Sequence, residues 1–137
     1  SPTGALIKGK AGAGMLALKS GAPVLPVALT GSERLPFNGS KGRAQKSSRR
    51  SDKRQRRVRI VYGEPFIVPR IFNGEKIGAD EATEIIMLEI ARLLPEEYRG
   101  VYADLLRKQT VRKIVPYVFS ESSSTSASPS TSSSERP

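Results

Sequence analysis

Residues 9–33 read GKAGAGMLALKSGAPVLPVALTGSE, and the two halves of this stretch follow different patterns. From Lys10 to Ser20, Ala13, Leu16, Ala17 and Leu18 recur at helical spacing, and Gly21 stands where a helix C-cap is expected. That half predicts a short helix packed through small residues. The next eight residues, Ala22 to Leu29 (APVLPVAL), are almost wholly apolar, the pattern of a strand covered on both faces as in a parallel α/β sheet. Pro26 has no N–H to give to a sheet ladder, so it predicts a strand edge, a bulge or a special local backbone.

Working outward, Val58-Arg59-Ile60-Val61-Tyr62 alternates as a second strand, closed by the turn residues Gly63-Glu64-Pro65. Asp80 is placed to cap a helix, with Glu81 and Glu84 in the first turn, where the helix dipole favours acids. Ala82, Ile86, Ile90, Leu93 and Leu94 line one side of that helix, which should end just before Pro95. Pro95 can open another helix, in which Tyr98, Val101, Tyr102, Leu105 and Leu106 form a packing stripe. The order helix, strand, loop, strand, helix, helix predicts an α/β fold, a mixed sheet flanked by helices. Two strands make a poor sheet alone, so this sheet is expected to begin upstream of Ser1, and the chain is not expected to fold by itself.

Composition narrows the chemistry. Among 137 residues there is no His and no Cys. The Ser-His-Asp and Cys-His nucleophile systems are excluded within this chain, as are disulfides, and zinc drops out. The formal charge is +10, from 23 basic and 13 acidic residues, but it is concentrated. Lys41 to Arg57 holds nine Lys and Arg against Asp52 alone, a net of +8, which leaves only +2 for the remainder. Residues 38–56 therefore read as a flexible basic insertion. Three readings of it stay open: a solvated loop, an attachment to anionic lipid headgroups, or a nucleic-acid contact. No aromatic residue lies between Lys41 and Arg57 to stack on a base, which disfavours the last. Residues 1–119 form the ordered part. Residues 120–137, with twelve Ser and Thr in eighteen positions, are expected to be a disordered tail. No run reaches the roughly 18–20 apolar residues of a membrane span.

The opening, SPTGALIKGKAGAG, places Ser, Thr, Gly and two lysines before a helix N-terminus, an arrangement that offers backbone N–H groups and positive charge to a phosphate. It is neither a Walker A loop nor a complete dinucleotide fingerprint. Lys10 equally suits a solvated helix-start lysine, and Pro26 a plain core position. Arg99 could cap a helix or meet an anion, and Glu64 belongs to a turn with no catalytic role.

Joined together, Gly9 to Glu33, then VRIVYGEPF and later LLPEEYRGVYAD, resemble the C-terminal half of the PlsC-type 1-acylglycerol-3-phosphate O-acyltransferases. The resemblance covers Ser1 to about Asp104 apart from the basic insertion. Ser1 is similar to the last residue of the family's Glu-Gly-Thr-Arg-Ser motif, Lys10 and Gly12 to its Lys-Gly segment, and Val24, Leu25, Pro26 and Val27 to its fourth motif. These seven residues are the substrate-binding candidates that the resemblance implies, with Lys10 as a phosphate contact and Val24 to Val27 as a wall of the acyl or acceptor site. It also implies that the catalytic His-x4-Asp pair lies upstream, so that this chain alone is inactive. The implied activity is transfer of an acyl group from acyl-CoA or acyl-carrier protein to lysophosphatidate or a related lysophospholipid. No cofactor is implied, and the expected location is peripheral, at the cytoplasmic face of an anionic membrane.

Overall fold

The computed structural model describes residues 4–32 and 57–119. Helix α1 spans Gly12–Ser20, and Gly21 ends it in the left-handed region at φ 64°, its N–H returning to the Ala17 carbonyl at 2.9 Å. The C-cap is where the sequence put it, but the packed face is not. Gly14 and Ala17 are buried and Leu18 half-buried, whereas Ala13 and Leu16 face solvent. The reason is proximity: α1 lies so close to α2 (Ala79–Leu93) that only the smallest residues fit between them.

The expected apolar strand is shorter and differently paired than its sequence suggests. β1 spans only Val27–Thr30 and runs antiparallel to β2, Arg59–Tyr62, in the register Val27↔Tyr62 and Leu29↔Ile60. Pro26 stands just outside the ladder, its carbonyl accepting the Gly63 N–H at 2.9 Å, so the missing donor costs no bond. Ala28 is buried, but Leu25, Val27 and Leu29 are 52%, 41% and 52% exposed. The strand is thus covered on one face and antiparallel, a correction to the two-sided, parallel expectation.

Two further short strands and a hairpin complete the β structure of the described residues. Val24 bridges Phe66 of β3 (Phe66–Ile67), and β3 pairs with β6 (Val115–Pro116). β4 (Ile71–Phe72) and β5 (Glu75–Lys76) form a hairpin whose two turn residues, Asn73 and Gly74, both have positive φ. That is the geometry Asn-Gly favours in two-residue hairpin loops. Helices with small antiparallel sheets place the described residues in a mixed α/β class.

α2 begins after Gly78, not after Asp80, which instead joins Glu81 in the first turn. Its buried residues, Ala82, Thr83, Ile85, Ile86, Leu88, Glu89 and Ala91, cover more than one stripe because α1, the strand residues and the turns after Pro95 surround it. One cluster joins Ala17, Phe66, Val68, Ile77 and Ile86; a second joins Leu88, Ala91 and Tyr102. The helix predicted from Pro95 is broken into two 3-10 turns, Glu96–Tyr98 and Gly100–Tyr102, before α3 (Ala103–Lys108). Gly100, at φ 52°, causes the break: its Cβ-less face lies against the Leu6 carbonyl, where any side chain would sit 2.0 Å from the oxygen. No helix among the described residues is long and apolar enough to cross a membrane.

Candidate functional site

The Gly- and Lys-rich segment that leads into α1 is held by its backbone. Gly9 donates its N–H to the hydroxyl of Tyr102 at 2.8 Å, across a sequence separation of 93 residues. Gly14 donates to the Thr83 hydroxyl at 3.1 Å, and that hydroxyl donates to the Ala79 carbonyl at 2.9 Å, with the Lys10 carbonyl at 3.4 Å. Further back, Leu6 donates to the Tyr98 carbonyl at 2.9 Å. The segment is also pressed onto α2, since a Cβ at Gly9 would fall 2.8 Å from Met87 and 2.9 Å from Thr83.

The side chains it carries are free of that constraint. Lys8 and Lys10 are exposed, and neither forms an ion pair among the described residues. Gly12 opens α1 with nothing within 4 Å of the place a Cβ would occupy. A lysine beside the N-terminus of a helix favours an anion, and against it Asp80, Glu81 and Glu84 stand with Lys8 and Gly9 around the adjoining hollow.

The remaining candidates lie beyond the other end of α1, whose nine residues span about 13 Å. Val24 is half-buried and exchanges both backbone hydrogen bonds with Phe66, at 2.7 and 3.0 Å. Pro26 is buried against Gly63, while Leu25 and Val27 point outward. The four residues therefore divide by parity, as strand geometry requires. Leu25, Val27 and Leu29 share an exposed apolar face with Ile60 and Tyr62, which are 52% and 66% exposed. Ser1, residues 41–56 of the basic segment and the whole Ser/Thr-rich tail lie outside the described residues.

Beside Pro26 is a polar cavity of about 420 Å³ that the sequence did not announce. Glu89, only 5% exposed, accepts from both Nε (3.1 Å) and Nη2 of Arg112, and Arg92 approaches it at 3.3 Å. Donating to the Glu89 carboxylate raises the Arg112 pKa above its ordinary value, so the guanidinium stays charged. Arg99 is a helix cap: its Nε donates to the Ala91 and Leu94 carbonyls at 3.2 and 3.1 Å. Among the described residues no group of acidic side chains is arranged to hold a metal ion.

Thr83 is a residue that periodicity passed over, and Tyr102 is read from it only as part of a packing stripe. A signal was present, because both place a hydroxyl on an otherwise apolar buried stripe, where it must find a partner. Compared with protein-family models, curated proteins and solved structures, the chain has no match.

Proposed function

We propose that the chain is the C-terminal part of a PlsC-type acyltransferase acting on lysophosphatidate or a related lysophospholipid. The observation that carries this reading is the run from Lys10 to Glu33, whose lysine-glycine lead-in, helix and Val-Leu-Pro-Val block follow the family's order. The arrangement of these parts supports it. Lys10 and Gly12 stand at the open start of α1, where the lysine and the helix dipole suit the phosphate of the acceptor. Leu25 and Val27 present apolar surface outward, suited to an acyl chain or to the upstream half of the same domain.

In the reaction, a His upstream of Ser1 removes the proton from the acceptor hydroxyl, and its Asp partner orients the imidazole. The alkoxide attacks the carbonyl of acyl-CoA or acyl-carrier protein, the C–S bond breaks, and the thiolate leaves with that proton. The residues of this chain bind and orient; the acid-base pair is upstream. The acyl thioester is a co-substrate, so the reaction as proposed requires no cofactor. The +8 segment from Lys41 to Arg57 would draw such an enzyme to anionic headgroups, at about 1 kcal/mol per nearby cation.

The test has two steps. The residues encoded before Ser1 are expected to contain His-x4-Asp and Glu-Gly-Thr-Arg; their absence removes the enzyme reading and favours a basic binding module acting through residues 41–57. The full-length protein is then assayed for release of thiol from acyl-CoA and acyl-carrier protein with lysophosphatidate. Lys10→Ala is expected to raise the KM for lysophosphatidate several-fold; an unchanged KM and kcat would remove the phosphate role of Lys10.

A further inference from the structure

Resting on that reading, we infer that Tyr102 is a positioning residue for the lysophospholipid acceptor, acting through the backbone of residues 9–14 with Thr83 as its counterpart. A phenylalanine would fill the same space. The phenol ring is 4% exposed, packed with Leu88 and Ala91, and needs no hydroxyl for that packing. The hydroxyl instead accepts the N–H of Gly9, the residue immediately before Lys10. At the other end of the segment, the Thr83 hydroxyl holds the Gly14 N–H and lies near the Lys10 carbonyl. Both anchors come from hydroxyls of distant elements, and both seize backbone only.

What sets Lys10 apart from the other exposed lysines, several of which are likewise without an ion pair among the described residues, is the backbone held on both sides of it. By contrast, Lys113 bonds Glu81 at 2.6 Å, and Arg107 pairs with Glu96. Lys10 has a fixed backbone and a side chain with no ion pair among the described residues, an arrangement that keeps a cation available to something outside the chain. Removing the Tyr102 hydroxyl frees the Gly9 N–H and lets the segment spread over more conformations. The cost then falls on acceptor binding, because the cation must be re-ordered each time the phosphate binds.

The full-length protein carrying Tyr102→Phe is assayed with lysophosphatidate and acyl-CoA, with folding followed by circular dichroism melting. The expected result is a rise of about three- to tenfold in the KM for lysophosphatidate, with kcat and the KM for acyl-CoA within twofold of wild type. Thr83→Val should reproduce this shift and Thr83→Ser should not. In a Lys10→Ala background, Tyr102→Phe should add nothing further, because it acts through that lysine. A lowered melting temperature with unchanged KM, an equal loss for both substrates, or the same KM shift with and without Lys10 would each overturn the assignment. A wild-type protein that is inactive on all lysophospholipids overturns the acyltransferase reading and this inference with it, whereas an active wild type with an unaffected Tyr102→Phe overturns the inference alone.

Discussion

Gly14→Ala should unfold much of what holds α1 in place, although in an isolated helix the same change would stabilise. The added Cβ would fall 2.3 Å from the Ala79 carbonyl oxygen and 2.5 Å from the Thr83 backbone nitrogen. Both are backbone atoms of α2, so neither can rotate away. Restoring an ordinary 3.4 Å contact requires the two helices to part by about 1 Å. That movement also stretches the Gly14 N–H to Thr83 hydroxyl bond, now 3.1 Å, past useful length. Overpacking costs about 1–3 kcal/mol. A buried N–H left without an acceptor costs about 1–3 kcal/mol more. The better helix propensity of Ala returns about 1 kcal/mol. The net loss is about 3 kcal/mol, a drop of roughly 10–20 °C in Tm for a domain of this size.

Gly12→Ala is the matched control, two residues away in the same helix, with nothing within 4 Å of its Cβ position. It should be neutral or stabilising by up to about 1 kcal/mol. Urea and thermal denaturation of the two variants beside wild type measure the contrast. If Gly14→Ala melts within 2–3 °C of Gly12→Ala, a shift of less than about 1 kcal/mol where about 3 is expected, the close α1–α2 approach is wrong, and with it the explanation of why Gly14 and Ala17, not Leu16, face inward.

Two other substitutions probe the charged contacts. Arg99→Ala should cost about 1–2 kcal/mol by removing its hydrogen bonds to the Ala91 and Leu94 carbonyls at the end of α2, and Arg99→Lys should recover only part of this, since an ammonium lacks the guanidinium fork; equal stability of all three proteins in urea would contradict the cap. Lys113 has its pKa raised by the hydrogen bond to Glu81, so its contribution is fully present below the unfolded lysine value of about 10.4 and is lost as pH rises through the higher folded value. Lys113 is partly exposed and the effect is below about 1 kcal/mol, so the stability difference between wild type and Lys113→Met should be flat from about pH 7 to 9 and narrow above about pH 10.5; a difference independent of pH to 11 would contradict the pairing.

What the sequence disclosed of the fold was the part encoded at short range. Gly21 caps α1, β2 falls within the alternating Val58–Tyr62 run, and α2 stops before Pro95, because each depends on neighbours within a few residues. The Asn73-Gly74 hairpin went unread, because its two-residue strands are too short to show alternation, although its turn pair favours that geometry. What could not be read was depth. APVLPVAL states that both faces of a strand are apolar; it does not state that one of them, bearing Leu25, Val27 and Leu29, has no cover from the described residues. Likewise the stripe after Pro95 predicts a continuous helix, but Gly100 must turn to positive φ beneath Leu6, a contact between residues more than ninety positions apart.

The site divides along the same line. Lys10 and Gly12 are proposed from the chain alone because the chemistry argued for them lies in residue type and order, a cation and a bare glycine before a helix. Their anchors could not be, because a helical stripe reports which side of a residue is buried and nothing about where its polar atom goes. Tyr102 sits among Leu105 and Leu106 in that stripe and was read as packing, which is true of its ring. A buried phenol or a buried threonine on an apolar face is nonetheless an incomplete statement, since each hydroxyl requires a partner. The sequence thus contains the demand, at Tyr102 and Thr83, and only the fold supplies the answer: the backbone N–H groups of Gly9 and Gly14, on either side of the one lysine they keep in place.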